Sequence, residues 1–312
     1  MPSLPALVSL LLTAALNRLR LMKLASSVCP SPRPLTTSAW SSRERTALLV
    51  FAIVSTVIPW AGVFVLRSHG WHHTWSIPLF VVASAFCSLA GIAAVLIQHG
   101  WAEGRLLLWE RLRLQGGWRP WGMFIWWGPV WMLLAYGLYT LTQGLSVEPR
   151  WTALSAYLSA GVLWLFLTGP LGEEFGWRGY LLPALMQRWS FTNASPVIGV
   201  WWALWHTPLM LDRWTGDPLH LPYFVANVVV FSFMLGAVFR VGGLLPTMAV
   251  HWGINASQEV VPHVFGYQGA PEKVLWLYIS GVLVVLAVLG IRFLLSSPAE
   301  RRARRYDAGA TA

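Results

Sequence analysis

Two acids and an arginine occur together in the run Gly172-Glu173-Glu174-Phe175-Gly176-Trp177-Arg178-Gly179-Tyr180, within a 312-residue chain that is 56% hydrophobic and only 11% charged. At the centre of a bilayer an ionisable side chain costs roughly 2.5–3.5 kcal/mol on insertion scales, so such a cluster is a functional hypothesis by default. Adjacent helical residues point about 100° apart, so Glu173 and Glu174 cannot face one spot and must serve different ends. Glu174 and Arg178 stand four apart with the acid first, the favourable order for pairing along one helix face. That leaves Glu173 as the free carboxylate, a group suited to act as a general base on water. Taken alone, the same residues also read as a salt bridge at a helix end.

Three further polar side chains are conspicuous for their apolar surroundings. His206 lies in VIGVWWALWHTPLML, where no other ionisable group occurs, and by itself it reads as a satisfied core histidine. His251 and Asn255, in AVHWGINAS, are four apart and share a helix face. They can present a ring nitrogen, as donor or metal ligand, beside an amide donor; the same pair could instead join membrane helices by hydrogen bonds. Glu259 continues that face, and either borders the site or marks the helix end.

In chain order these residues form three patterns: EExxxR (Glu173, Glu174, Arg178), aromatic-xxx-His (Trp202, His206) and HxxxN (His251, Asn255). Together they resemble the CPBP family, the CAAX prenyl endopeptidases of the Ras-converting type and the bacteriocin-processing and self-immunity proteins. The likeness covers about residues 150–260, and its one departure is Trp202, where the family more often has phenylalanine. The resemblance implies an intramembrane endopeptidase. Glu173, assisted by His206, would deprotonate the attacking water, and His251 with Asn255 would stabilise the oxyanion. Glu174 and Arg178 would hold the base in place. Family members have been classed as metalloproteases, so a zinc ion held by Glu173, His206 and His251 is also open, although a metal-independent glutamate mechanism is the reading taken here. The substrate implied is a peptide or membrane protein, lipidated or not. Two other functions fit the same residues: a non-catalytic immunity or scaffold protein that keeps the motif as a polar core, and a proton-coupled transporter, for which no internal repeat is visible.

Such a site needs helices to carry it. Charged residues are far below the roughly 25% of a soluble domain, which makes the chain an integral membrane protein. Apolar runs of roughly 17–25 residues fall near 46–66, 75–97, 121–144, 153–171, 195–211, 221–239, 243–260 and 274–295. They predict an all-α integral membrane protein with about eight transmembrane helices over 46–295, a catalytic core near 150–260, and the active site in a membrane-embedded cavity. Residues 1–45 read as an N-terminal cytoplasmic segment, partly disordered, with a short apolar run at 4–16; residues 296–312 read as a basic cytoplasmic tail. Residues 101–120 look like an interfacial amphipathic helix, and the 21 tryptophans look like an aromatic belt.

With the N-terminus inside, the cytoplasmic segments hold 18 basic residues and the outer loops 4, which supports eight spans in the plasma membrane with both termini cytoplasmic. The net charge of +10 then reflects topology and anionic lipid rather than nucleic acid. Cys29 and Cys87 are too far apart in sequence to suggest a metal or redox motif. One conflict remains inside this scheme. With the fourth span at 153–171, Glu173 lies near its cytoplasmic end, whereas His206 sits ~15 Å along a helix rising from that side. Gly169-Pro170 could also break the helix and place the acids in the first turn of a new one. Glu173 and His206 can meet only if the span ends lie elsewhere or the fourth helix is sunk, and Phe175 to Met186 is apolar enough, apart from Arg178, to stay within the membrane as a continued helix.

Overall fold

Ser41 and Glu44 form a reciprocal capping box, the Ser41 amide donating to Glu44 Oε2 at 2.7 Å and the Glu44 amide to Ser41 Oγ at 3.2 Å. This satisfies two of the amides that a helix start leaves without partners. From that start α1 runs over Ser42–His69. The computed structural model describes residues 39–70, 75–113, 116–216, 219–267 and 273–296, and among them every regular element is helical. α2 spans Ser76–His99 and α3 Trp101–Leu112. α4 covers Arg119–Thr142, α5 Ala160–Met186 and α6 Phe191–Trp205. α7 is Thr207–Gly216, α8 His220–Gly242, α9 Leu244–Val264 and α10 Lys273–Leu295. The apolar run at 4–16 and nearly all of the two terminal segments, 1–45 and 296–312, lie outside the described residues.

Each of the eight apolar runs falls on helical residues, 153–171 and 195–211 each crossing a helix break, yet among the described residues only five helices are long and apolar enough to cross a membrane. A sixth is reached if α5 is taken with the 3₁₀ turn Trp151–Leu158, which meets it at 56°. The expected count of eight is therefore not reached on those criteria. α6 has 15 residues, short of the ~20 that a helical span requires. α9 has 21, but His251, Asn255, Gln258 and Glu259 make it polar. The two helices that fall short are the ones contributing Trp202, His206, His251 and Asn255.

The fourth helix does not break at Gly169-Pro170. The chain opens instead into a π-turn over Leu167–Leu171, which houses the proline, and a second π-turn over Trp177–Leu181 follows the acids. Proline lacks an N–H and crowds the preceding turn, and a π-turn accommodates both within a continuing helix. Pro129 sits likewise in the π-turn Trp126–Val130 of α4. As a result α5 extends well past residue 171, and Glu173 stands thirteen residues from either end of Ala160–Met186, about 20 Å each way. The conflict over its depth disappears.

α2 presses against this stretch through small residues. A Cβ on Gly176 would lie 2.5 Å from the Cys87 carbonyl oxygen, and one on Gly172 3.0 Å from that of Ser84. At this closeness Ser88 enters the hydrogen-bond ladder of α5, its hydroxyl donating to the Leu171 carbonyl at 2.8 Å and accepting from the Phe175 amide at 3.3 Å. Small residues permit such backbone approach between membrane helices, and a hydroxyl re-satisfies groups that a proline and a π-turn release. At the other end of the bundle, the buried Arg111 of α3 donates to the Gly179 carbonyl in the second π-turn. Burial lowers that guanidinium to about 10, so it stays charged near neutral pH. Gly243 reverses the chain between α8 and α9 at φ +80°, where an added Cβ would also meet the Arg111 carbonyl at 2.9 Å.

Several tryptophans bind neighbouring helices together. Indole N–H groups of Trp127 and Trp131 on α4 donate to the α10 carbonyls of Leu286 and Ile279, each at 2.9 Å. Trp252 on α9 reaches Val162 O on α5 at 2.7 Å, and Trp60 and Trp205 tie α1 and α6 through Trp205 O and Ser55 O at 3.0 and 2.6 Å. A buried indole N–H needs an acceptor, and a neighbouring helix's carbonyl is the one at hand.

Candidate active site

The two acids diverge as their helical angle requires. Glu174 is fully buried, and its Oε1 accepts from Arg178 Nη1 at 2.9 Å on its own helix and from His251 Nδ1 at 2.7 Å on α9. The first of these bonds is the expected i, i+4 pair. The second holds His251 by its Nδ1 and makes Glu174 the joint between α5 and α9. Buried charges persist only when paired and hydrogen-bonded, and here carboxylate, guanidinium and imidazole meet in one cluster.

Glu173, 4% exposed, points the other way, into a cavity of about 180 Å³. His206 and Asn255 line the same cavity, with Gly169 and Thr168 of α5, Ser84 of α2 and Trp60 of α1. Three helices thus bring the free carboxylate, one imidazole and one amide to one space, as the three sequence patterns require. Trp202 Nε1 donates to Glu173 Oε2 at 2.5 Å, and the Arg178 guanidinium lies 4.4 Å above the Trp202 ring. His206 is the residue that ends α6, and its Nδ1 lies 2.8 Å from the Trp202 carbonyl. A carbonyl can only accept, so Nδ1 carries a proton and Nε2 is the nitrogen left for the cavity.

His251 and Asn255 converge from α9 on Gly169. A Cβ built there would lie 2.7 Å from Asn255 Nδ2 and 3.9 Å from His251 Nε2. The absence of a side chain at Gly169 is what lets both nitrogens come up to the first π-turn. Glu259, one turn beyond, is exposed and does not line the cavity.

Glu173, His206 and His251, the side chains that the sequence offered to a zinc ion, do not gather around one point in this structure. Among the described residues no group of three or more His, Cys, Asp or Glu side chains is placed to hold a metal ion. Each imidazole holds its Nδ1 in a hydrogen bond and keeps Nε2 as its open nitrogen, and Glu173 gives one oxygen to an indole and keeps the other.

A family model, Type II CAAX prenyl endopeptidase Rce1-like, matches residues 154–257, the stretch that carries every one of these side chains. A CAAX prenyl protease 2 from Methanococcus maripaludis is 47% identical over 49 residues, which is 16% of this chain and 18% of that relative. Over this stretch the chain is similar to the Rce1-like endopeptidases, and it spans less than a fifth of the length of the relative it matches. The matched region is a third of the sequence, so the helices α1, α2, α4 and α10 that enclose the core are known from the structure alone.

Several residues that shape this core escaped the sequence patterns. Gly172 and Gly176 form a GxxxG pair whose role in close helix approach could have been read from the sequence. Ser88, Cys87 and Arg111 carried no such signal, since their partners are backbone carbonyls far away in sequence. Trp202 was in the pattern, but as an aromatic filler; its function as a donor becomes visible only when Glu173 is seen beneath it.

Proposed function

We propose that this chain is an intramembrane endopeptidase of the CAAX-protease type, hydrolysing peptide bonds of membrane-associated substrates through a water activated by Glu173. The observation that carries this reading is the sharing of one cavity by Glu173, His206 and Asn255, with Glu174, Arg178 and His251 paired behind it. Glu173 takes the proton of a water that His206 Nε2 helps to hold, and the water oxygen adds to the scissile carbonyl. Asn255 Nδ2 and His251 Nε2 donate to the oxyanion that forms, a contribution of about 3–4 kcal/mol in proteases where such a donor is removed. As a donor His251 needs protons on both ring nitrogens, and Glu174 is the anion that pairs with that imidazolium. The proton held by Glu173 then passes to the leaving amine, which balances the hydrolysis.

The family and the relative's name support a peptidase acting on prenylated CAAX sequences, and such a peptide is the first substrate to try. Glu173→Gln should lower its turnover by roughly 100- to 10,000-fold, the span that a general base supplies. Comparative peptidomics of membranes bearing wild type or Glu173→Gln extends the test to peptide and membrane-protein substrates without a lipid, and metal analysis of the same purified protein accompanies it. Unchanged turnover and unchanged peptide profiles would sink proteolysis and favour a scaffold role for the polar core.

A further inference from the structure

Trp202 touches four groups of the proposed machinery, Glu173, Arg178, His206 and His251. Its indole N–H donates to Glu173 Oε2 at 2.5 Å, and its ring lies under the Arg178 guanidinium at 4.4 Å. The ring also meets the His251 imidazole edge-on, with centroids 5.2 Å apart. Its carbonyl holds His206 Nδ1 at 2.8 Å. The side chain itself is 4% exposed and does not line the cavity, so substrate does not reach it.

We infer that Trp202 is a positioning residue of this site, whose indole N–H clamps one oxygen of Glu173 and so directs the other into the cavity. The inference rests on the proposed role of Glu173 as base. A carboxylate on a flexible stem has two equivalent oxygens and several rotamers, and a base must present one lone pair along one direction to the water it activates. With Oε2 held by the indole, Oε1 accepts no hydrogen bond from any described residue and is the oxygen left for water. The other groups around Glu173 cannot fix it in this way. Arg178 and His251 are both bonded to Glu174, and Cys87 on α2 contacts only the Glu173 carbonyl, at 3.7 Å. The cation–π contact with Arg178 ties the clamp to the buried cluster.

Two substitutions separate the bond from the packing. Trp202→Phe keeps an aromatic ring and removes the donor, whereas Trp202→Leu removes both. If the clamp matters, kcat on a fluorogenic prenylated CAAX peptide falls by a similar factor in both variants, roughly 10- to 100-fold for loss of a hydrogen bond to a charged group, with KM unchanged. If Trp202 only fills space, Trp202→Phe turns over like wild type, and the inference is overturned. A second measurement needs no turnover. In protein labelled with indole-15N tryptophan, the Trp202 N–H resonance, assigned by its loss in Trp202→Phe, should move upfield in Glu173→Ala; a resonance that stays in place overturns the clamp. Activity retained by Glu173→Gln would remove the base reading instead, and the resonance would still report whether the bond exists.

Discussion

At the scale of single residues, the site depends as much on a missing side chain as on those present. Gly169 lies in the first π-turn of α5, where a Cβ would come within 2.7 Å of Asn255 Nδ2. Gly169→Ala should push the amide off its position by up to an ångström while favouring the helix by up to about 1 kcal/mol. Displacements of that size in a positioned group cost up to ~100-fold in rate. The expected outcome is a fall in kcat on the prenylated peptide of roughly tenfold or more with little change in thermal midpoint. Because the effect acts through Asn255, the double variant Gly169→Ala/Asn255→Ala should be no slower than Asn255→Ala alone; additive losses would show that Gly169 acts by another route. At this scale the sequence was legible as a set of residues but not as contacts. Spacing separated Glu173 from Glu174 correctly, because helix geometry sets that angle. It could not show that Glu174 takes a second donor from His251, seventy-seven positions away, since that pairing is a matter of how two helices meet.

At the scale of elements, α5 is the unit on which the site is built, and its shape is imposed by α2. The close approach at Gly172 and Gly176 lets Ser88 supply the hydroxyl that serves Leu171 O and the Phe175 amide on either side of the two acids. Gly176→Ala would set a methyl 2.5 Å from the Cys87 carbonyl and sulfur, and the backbone carbonyl cannot swing away as a flexible side chain would. Overpacking of this kind costs about 1–3 kcal/mol, which should appear as a lower thermal midpoint in detergent together with lost activity. Gly281→Ala on α10 is the matched control, because nothing lies within 4 Å of a Cβ there. Equal midpoints for the two variants would mean that the contact with α2 does not shape α5. The apolar runs located the helices well, since composition alone marks them. Where a helix bends or persists was less legible: Gly169-Pro170 reads as a break, and only the packed neighbour shows why it becomes a π-turn instead.

At the scale of the whole molecule, the cavity and the basic residues lie toward opposite ends of the bundle. The cavity is lined by the C-terminal half of α1, the N-terminal halves of α2 and α5, the α6–α7 junction and the far side of the α9 midpoint. The other end carries α3 with its buried Arg111, the Arg188–Glu44 ion pair at 3.2 Å, and Arg119 against Phe293 near the end of α10. The 18-to-4 partition of basic residues is a whole-chain property, readable without any structure, but it says nothing of where a cavity lies. Combined with the bundle, it has a definite consequence: if basic ends stay in the cytoplasm, the cavity belongs to the half of the membrane facing away from it, and substrates reach it from that side. In a background with Cys29→Ser and Cys87→Ala, a cysteine at Ser68, exposed where α1 ends beside the cavity half, should react with a membrane-impermeant maleimide in intact cells. A cysteine at Ser296, exposed after α10, should react only once the cells are permeabilised. The reverse pattern would invert the molecule and make the substrates cytoplasmic, which is a question of supply and leaves the chemistry of Glu173 untouched.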